Sequence, residues 1–179
     1  MLKEIRPALL AFLALTFLTG FVYPLAVTAF ARLFPLQAGG DPALIGQPFS
    51  DPKYFWSRPS ATGPMPYNGA ASSGSNQGPT NKALAETVAE RVKALREADA
   101  GNNRPVPADL VTASASGLDP HISPQAAEYQ VARVARVRKL EEGKLRGLVA
   151  AHTEGRTFGL LGEPRVNVKR LNVAVDGLE

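Results

Sequence analysis

Residues 7–31 read PALLAFLALTFLTGFVYPLAVTAFA, and this stretch decides the architecture of the chain. It contains no charged residue, although the 179-residue protein carries 20 basic and 16 acidic side chains elsewhere. As a helix the stretch would be about 37 Å long at ~1.5 Å per residue, whereas the hydrocarbon core of a bilayer is ~30 Å thick. We therefore predict one transmembrane helix over residues 7–34, preceded by a short terminus of residues 1–6.

Two kinds of residue within this stretch indicate how the helix is shaped and what it contacts. Pro24 has no backbone N–H group, so we expect it to kink the last third of the helix. Thr16 and Gly20 are small side chains of the kind that let a second transmembrane helix approach closely. Together with the neighbouring Tyr23 and Pro24, they are the candidate subunit interface of the membrane anchor.

A cleaved signal peptide is the alternative interpretation, because Lys3 and Arg6 form a basic start and Ala29–Ala31 matches a small-x-small cleavage pattern. The apolar run is longer than the ~7–15 residues of a signal peptide core, which favours an uncleaved anchor. Basic residues concentrate at the N-terminal end, against Arg32 alone over residues 32–52. The N-terminus is therefore predicted to be cytoplasmic and the rest to lie outside, which in a Gram-negative cell means an inner-membrane protein with a periplasmic domain.

The composition excludes several classes of protein. The absence of cysteine excludes disulfides, thiolate metal sites and cysteine nucleophiles, and His121 and His152 are too few for the usual zinc site. The lack of a second long apolar run excludes a many-span channel acting alone. A net charge of +4 and the basic cluster at residues 133–139 are compatible with nucleic-acid binding. The predicted topology opposes it, so we expect no nucleic-acid partner.

The remainder of the chain is predicted to be an α+β domain with a small sheet. Residues 35–53 are rich in Pro and Gly and are interpreted as a connector with one short strand at 43–47, followed by the domain at 54–179. The aromatic cluster Tyr54–Trp56 is typical of a core or of a membrane interface. The other predicted elements are a helix over 81–98 capped by Asn81 or Thr80, an extended segment at 105–112, a helix from Ser123-Pro124, a helix over 141–152, and strands with a bulge at 166–175.

Residues 57–81 form a long, nearly uncharged loop, and loops of this length are usually functional or disordered. Its Gly-rich end precedes a helix and contains Ser73, Ser75 and Asn76, which are candidate ligands of a phosphate group. The motif lacks the spacing of a P-loop, so it does not by itself predict a nucleotide site. The loop oxygens also suit K⁺, but no carboxylate cluster supports a metal site.

A hydrolase site is a further alternative. Asp119 and His121 place a carboxylate beside an imidazole and serines are abundant, but no G-x-S-x-G motif is present. A turn held by Asp119 with a surface His121 is the simpler interpretation, and no catalytic residue is predicted.

Several motifs in one order resemble the C subunits of bacterial Kdp high-affinity potassium-transporting P-type ATPases, the KdpC family. The similarity covers nearly the whole chain. The motifs are 22–25 (VYPL), 44–47 (LIGQ), 54–62 (YFWSRPSAT), 66–68 (PYN), 71–76 (ASSGSN), 106–119 (VPADLVTASASGLD), 121–127 (HISPQAA), 130–131 (QV), 133–135 (RVA) and 162–168 (GEPRVNV). The sequence departs from the family at Ala132, where many relatives carry proline, so that one continuous helix can replace two short ones.

This resemblance implies a non-catalytic subunit with one span and an outer domain. The implied partners are a channel-like subunit that carries K⁺, a P-type ATPase subunit that hydrolyses ATP, the small F subunit and the lipid bilayer. The implied role is assembly and stabilisation of the complex, with a proposed family role as a "catalytic chaperone" that raises the ATP affinity of the hydrolysing subunit. Gln125 and Gln130 in the resembling motifs are added as candidate nucleotide contacts.

The predicted topology conflicts with direct ATP contact, so we expect no stably bound cofactor and favour structural coupling or action at the K⁺ entrance. A membrane-anchored periplasmic binding module that is independent of any pump remains the alternative.

Overall fold

The computed structural model describes residues 2–33 and 42–178, which belong to two compact units divided between residues 41 and 42. The first unit is a helical rod, and one helix in it, Lys3–Leu33, is long and apolar enough to cross a membrane. The second unit contains helices and a small sheet, which confirms the α+β prediction. Residues 35–41 of the predicted connector at 35–53 lie outside the described residues, whereas residues 42–53 belong to the second unit.

The membrane-length helix has three parts: α1 (Leu2–Phe17), a π-helical segment (Leu18–Val22) and α2 (Tyr23–Leu33). The π segment ends two residues before Pro24, and the Tyr23 N–H group donates to the Leu18 carbonyl five residues earlier. A π turn accommodates one extra residue, which relieves the conflict between a proline ring and the preceding turn. The structure thus has a π segment on the N-terminal side of Pro24, and the expected kink stays a prediction.

The second unit contains four α-helices among its described residues, and side chains cap three of them. They are α3 (Lys82–Ala98), α4 (Pro124–Arg138), α5 (Glu142–Ala151) and α6 (Val168–Asp176). Asn81 accepts a hydrogen bond from the Ala83 N–H at the start of α3, and Ser123 accepts one from the Ala126 N–H at the start of α4, both at 3.0 Å. These caps confirm the predicted starts, and α4 runs through Ala132 without a break.

The sheet has three short strands, β1 (His121–Ile122), β2 (Thr153–Glu154) and β3 (Arg165–Asn167). Their order is β1-β3-β2 and both pairings are antiparallel, with Ile122 and Thr153 opposite Val166. Helix α4 packs against α5, while α6 packs against α5 and β3. The buried apolar residues of these elements form one core, centred on Val131, Val134, Leu145, Val166 and Leu171.

Two strand predictions are wrong, the one at 43–47 and most of the one at 166–175. Residues 42–44 form a single 3-10 turn where a strand at 43–47 was expected, and residues 108–110 form another within the segment 105–112. At the C-terminus only 165–167 is a strand, and the chain continues as α6. Val168, Leu171 and Val175 are buried with helical spacing, and the Asn167 side chain accepts from the Arg170 N–H at 3.1 Å, capping the helix.

The aromatic segment Tyr54–Trp56 joins the core, as one of its two predicted interpretations required. Phe55 is fully buried and Trp56 packs against the core at its edge. The backbone of this segment lies outside the sheet, yet its polar groups are satisfied by two buried amides. Asn172 bonds both the N–H (2.9 Å) and the carbonyl (3.0 Å) of Phe55, and Gln130 does the same for Trp56 at 2.8 and 3.2 Å.

Arg133 also holds the aromatic segment in place. Its guanidinium lies 4.6 Å from the centre of the Trp56 ring and bonds the Pro52 carbonyl and, at 2.6 Å, the Gln130 side-chain oxygen. Burial lowers the pKa of Arg133 to about 10, but the side chain stays charged at neutral pH.

Candidate functional site

The long loop at 57–81 is ordered against the segment 114–118, which positions the candidate site. The Ser114 N–H donates to the Pro59 carbonyl, and the Ser73 N–H donates to the Ser116 carbonyl, both at 3.0 Å. The Ser60 hydroxyl donates to the Gly117 carbonyl at 2.7 Å. Gly117 has a φ of +68°, and a Cβ there would lie 2.7 Å from the Ser73 carbonyl oxygen, so the close approach requires glycine.

Tyr67 closes this loop on itself. Its hydroxyl donates to the Arg58 carbonyl, and its ring occupies the space that a side chain at Gly46 would need. Burial raises the pKa of Tyr67 above its ordinary value, and the nearby Asp119 carboxylate acts in the same direction. The neutral phenol is therefore the form that the fold stabilises.

A cleft of about 570 Å³ lies where this loop meets residues 107–109, β1, the start of α4 and the start of β3. Each wall comes from a different part of the chain, and the charged and polar residues in the lining are Arg58, Asp109, Asp119, His121, Ser123, Gln125, Glu163 and Arg165. A cleft of this size is in the range that small-molecule sites occupy. It is the candidate functional site of the second unit.

Asp119 is the centre of the cleft's charge network. One of its oxygens lies 3.0 Å from the His121 Nδ1 atom and also accepts from the His121 backbone N–H at 3.0 Å. The other oxygen lies 3.5 Å from an Arg58 guanidinium nitrogen. Asp119 therefore holds a turn, as predicted, but His121 is largely covered, with a side chain only 20% exposed.

The Ser123 hydroxyl is committed to capping α4, and its backbone N–H donates to the Asp109 carboxylate at 2.7 Å. Within the described ranges 2–33 and 42–178, no hydrogen bond joins His121 to a serine hydroxyl. The pair of Asp119 and His121 thus lacks the nucleophile contact that a hydrolytic triad requires.

The predicted nucleotide contacts do not come together. Gln125 is exposed in the first turn of α4 and lines the cleft. Gln130 is buried on the same helix, where its amide binds the Trp56 backbone and the Ala126 carbonyl. Ser73, Ser75 and Asn76 are exposed on the long loop and are not among the residues that line the cleft. Of the five predicted nucleotide contacts, only Gln125 is therefore positioned to contact a ligand in the cleft.

The candidate interface residues of the anchor are grouped at its irregular region. Thr16 lies near the end of α1, Gly20 in the π segment, and Tyr23 and Pro24 at the start of α2, all of them exposed. The Thr19 hydroxyl donates to the Leu15 carbonyl at 2.8 Å, so this polar side chain is satisfied within the helix.

Metal ligation gains no support from the geometry. Among the residues that the structure describes, no group of three or more His, Asp or Glu side chains is arranged to hold a metal ion.

Sequence reasoning missed Asn172 and Asn167, whose amides bind the backbone at Phe55 and Ala43. The available signal was an asparagine at core spacing beside buried residues 168, 171 and 175.

These features define a class: one helix among the described residues has membrane-spanning length, and an α+β unit carries a cleft in which Asp119 contacts Arg58 and His121. The comparisons with known proteins then give the family. The family model "KdpC: K+-transporting ATPase, c chain" matches residues 5–177. A protein of Sorangium cellulosum named "Potassium-transporting ATPase KdpC subunit" is 61% identical over 188 aligned residues, covering 99% of each chain.

Two further relatives carry the same name. The one from Methylococcus capsulatus is 58% identical, covering 99% of this chain and 100% of the relative. The one from Dechloromonas aromatica is also 58% identical, covering 97% of each. The chain belongs to the KdpC family.

Proposed function

We propose that this chain is the accessory C subunit of an ATP-driven, high-affinity potassium uptake system of the Kdp type. The observation that carries the proposal is the family match over residues 5–177, together with relatives named as subunits of a potassium-transporting ATPase. In this role K⁺ is carried by a channel-like partner and ATP is hydrolysed by a P-type ATPase partner, with a small F subunit beside them. The chain itself is non-catalytic and holds no cofactor stably.

The anchor helix supports membrane attachment. Every side chain that the structure describes between Lys3 and Leu33 is exposed, so the apolar surface needs lipid or another helix to cover it. The basic residues Lys3 and Arg6 favour a cytoplasmic N-terminus, and we therefore propose that the α+β unit lies outside. We propose that Thr16, Gly20, Tyr23 and Pro24 face a partner helix in the bilayer.

The role of the outer domain is structural coupling within the complex. Its long loop, its aromatic segment and its cleft are held by internal hydrogen bonds, which suits a rigid element that stabilises a partner's conformation. The finer family role, raising the ATP affinity of the hydrolysing subunit, would need nucleotide to reach this domain, and Gln125 is the one candidate whose position in the cleft allows such a contact.

Purification from native membranes tests the main proposal. A tagged chain is expected to bring down a P-type ATPase and a channel-like subunit, and deletion of its gene is expected to abolish K⁺ uptake at micromolar K⁺. Uptake that survives the deletion would instead favour the pump-independent binding module.

The anchor interface is tested by Gly20→Leu, with Ala14→Leu as the matched control on a different helical face. We expect the first substitution to reduce recovery of the partners and the second to leave it unchanged.

Orientation is tested by labelling in a chain that has no cysteine of its own. Ser72→Cys is exposed on the long loop, and we expect it to react with a membrane-impermeant maleimide added to spheroplasts. Lys3→Cys is the control for the other side and is expected to react only after permeabilisation. The opposite pattern would refute the proposed topology.

The proposed ATP effect has its own measurement. If nucleotide contacts the cleft, Gln125→Ala in the assembled complex raises the KM for ATP without changing recovery of the subunits. An unchanged KM leaves structural coupling as the role of the domain.

A further inference from the structure

The connection between β2 and β3 carries an apolar tip, which we define as Phe158, Leu160 and Leu161. Among the large apolar side chains that the structure describes, Phe158 (89% exposed) and Leu160 (79%) are the most exposed, more so than any on the membrane-length helix. Leu161 adds to the same surface at 64%. Folding alone gains nothing from such exposure, and clustered exposed apolar side chains mark interaction sites.

The tip is held in one shape by its own backbone. The Thr157 N–H donates to the Leu161 carbonyl at 2.8 Å, and the Leu161 N–H donates back to the Thr157 carbonyl at 3.0 Å. Phe158 has a φ of +55°, a conformation that costs energy for a bulky L-residue, and Gly159 follows at +72°. The turn therefore keeps a strained backbone at the residue that displays its phenyl ring to solvent.

The charges that bracket the tip are paired with one another. The Arg156 guanidinium contacts both carboxylate oxygens of Glu163, at 2.8 and 2.9 Å. Arg165 pairs with Glu154 at 3.0 Å. Arg170 also contacts Glu154, at 3.6 Å, so these five residues carry a net charge of only +1, whereas surfaces that bind anionic lipid headgroups carry clusters of roughly 4–8 basic residues. An apolar centre with an ion-paired polar rim is instead the composition of a protein–protein interface.

We propose that the tip docks into an apolar concavity on another protein subunit of the transport complex. The expected socket is lined by aliphatic and aromatic side chains, with polar groups at its edge that match the paired rim. This inference rests on the proposed function, because it takes its partner from that complex. A shape fixed in advance reduces the ordering cost of binding, which is an advantage for a protein socket and unnecessary for a fluid bilayer.

Photo-crosslinking in the full complex tests the proposal. A benzophenone amino acid replaces Phe158 in the tagged chain in native membranes, and Val173, 67% exposed on α6, is replaced as the control. We expect a crosslink to one partner subunit from position 158 that is absent from position 173. Crosslinks to lipid alone, equal crosslinks from both positions, or none from position 158 would overturn the docking.

A binding measurement makes the result independent of the probe. The double variant Phe158→Ser with Leu160→Ser is expected to lower recovery of partner subunits at least tenfold, while Val173→Ser leaves it unchanged. Unchanged fluorescence of Trp56 shows that the variant chain is folded. Equal recovery by the double variant and the wild type overturns the docking alone, whereas a wild-type chain that recovers no partner overturns the proposed function as well.

Discussion

Replacing Asn172 by leucine is expected to destabilise the second unit strongly, although the two side chains are similar in size. Asn172 satisfies both the N–H and the carbonyl of Phe55, at 2.9 and 3.0 Å, and both residues are almost fully buried. Leucine would leave two buried backbone groups without partners, and each such group costs ~1–3 kcal/mol. The expected loss is therefore about 2–6 kcal/mol, against the ~5–15 kcal/mol that stabilises a typical domain.

The assay is urea unfolding of the full chain in detergent, followed by the fluorescence of Trp56. This residue is the chain's single tryptophan, and its backbone is held next to the Asn172 contact. Asn103→Leu, at an exposed position, is the control and is expected to stay within ~0.5 kcal/mol of the wild type. If Asn172→Leu changed stability no more than this control, the argument that amides replace strand pairing here would be refuted.

Three further predictions concern the loop and the cleft. Gly117→Ala places a Cβ 2.7 Å from the Ser73 carbonyl at a φ of +68°, so it should cost about 2–4 kcal/mol and expose the loop to protease. Ser123→Ala removes the cap of α4 and should cost ~1 kcal/mol in thermal unfolding. For Tyr67, folding raises the pKa, so above about pH 10 the folded state binds more protons than the unfolded state and stability falls as pH rises. The Tyr67→Phe variant should lose ~1 kcal/mol of unfolding free energy at neutral pH. Above about pH 10 its unfolding free energy should decline less steeply than that of the wild type, and an equally steep decline would contradict the role given to Tyr67.

The sequence was sufficient to predict an element where its local chemistry and its burial agree. The start of α3 at Lys82 and that of α4 at Pro124 follow from a capping side chain directly before a helical apolar pattern, and both caps form the expected bonds. The membrane-length helix follows from the uncharged apolar run at residues 7–31. In each case a short-range signal coincides with the tertiary environment, so no distant contact is needed to decide the structure.

The sequence was insufficient to predict the secondary structure where one apolar pattern fits both a strand and a helix. Leu171, Val173 and Val175 alternate as a strand would, but Val168, Leu171 and Val175 also fit a helix, and the structure buries this second set while Val173 points outward. The cap by Asn167 decides between them, and its side-chain nitrogen also donates to the distant Ala43 carbonyl. That contact spans most of the domain, so no local window contains it.

The candidate cleft had the same limitation, because its walls come from four separate parts of the chain. Gln125 and Gln130 look equivalent in sequence, five residues apart on one helix. The fold separates them, because the Gln130 amide is hydrogen-bonded to the Trp56 backbone whereas Gln125 faces the cleft. Gln130 is buried and Gln125 exposed because residues 54–56 pack against α4 at Gln130, and this packing depends on contacts distant in sequence.

The use of polar side chains across the domain bears on its role. Asp119 is engaged by Arg58 and His121, Ser123 caps a helix, and Gln130 binds backbone, so the groups that resembled a reactive site are spent on holding the fold. A catalytic group must keep a hydrogen-bonding position open for its substrate. Gln125, which faces the cleft, and the exposed apolar tip are available for binding, in line with the accessory role proposed above.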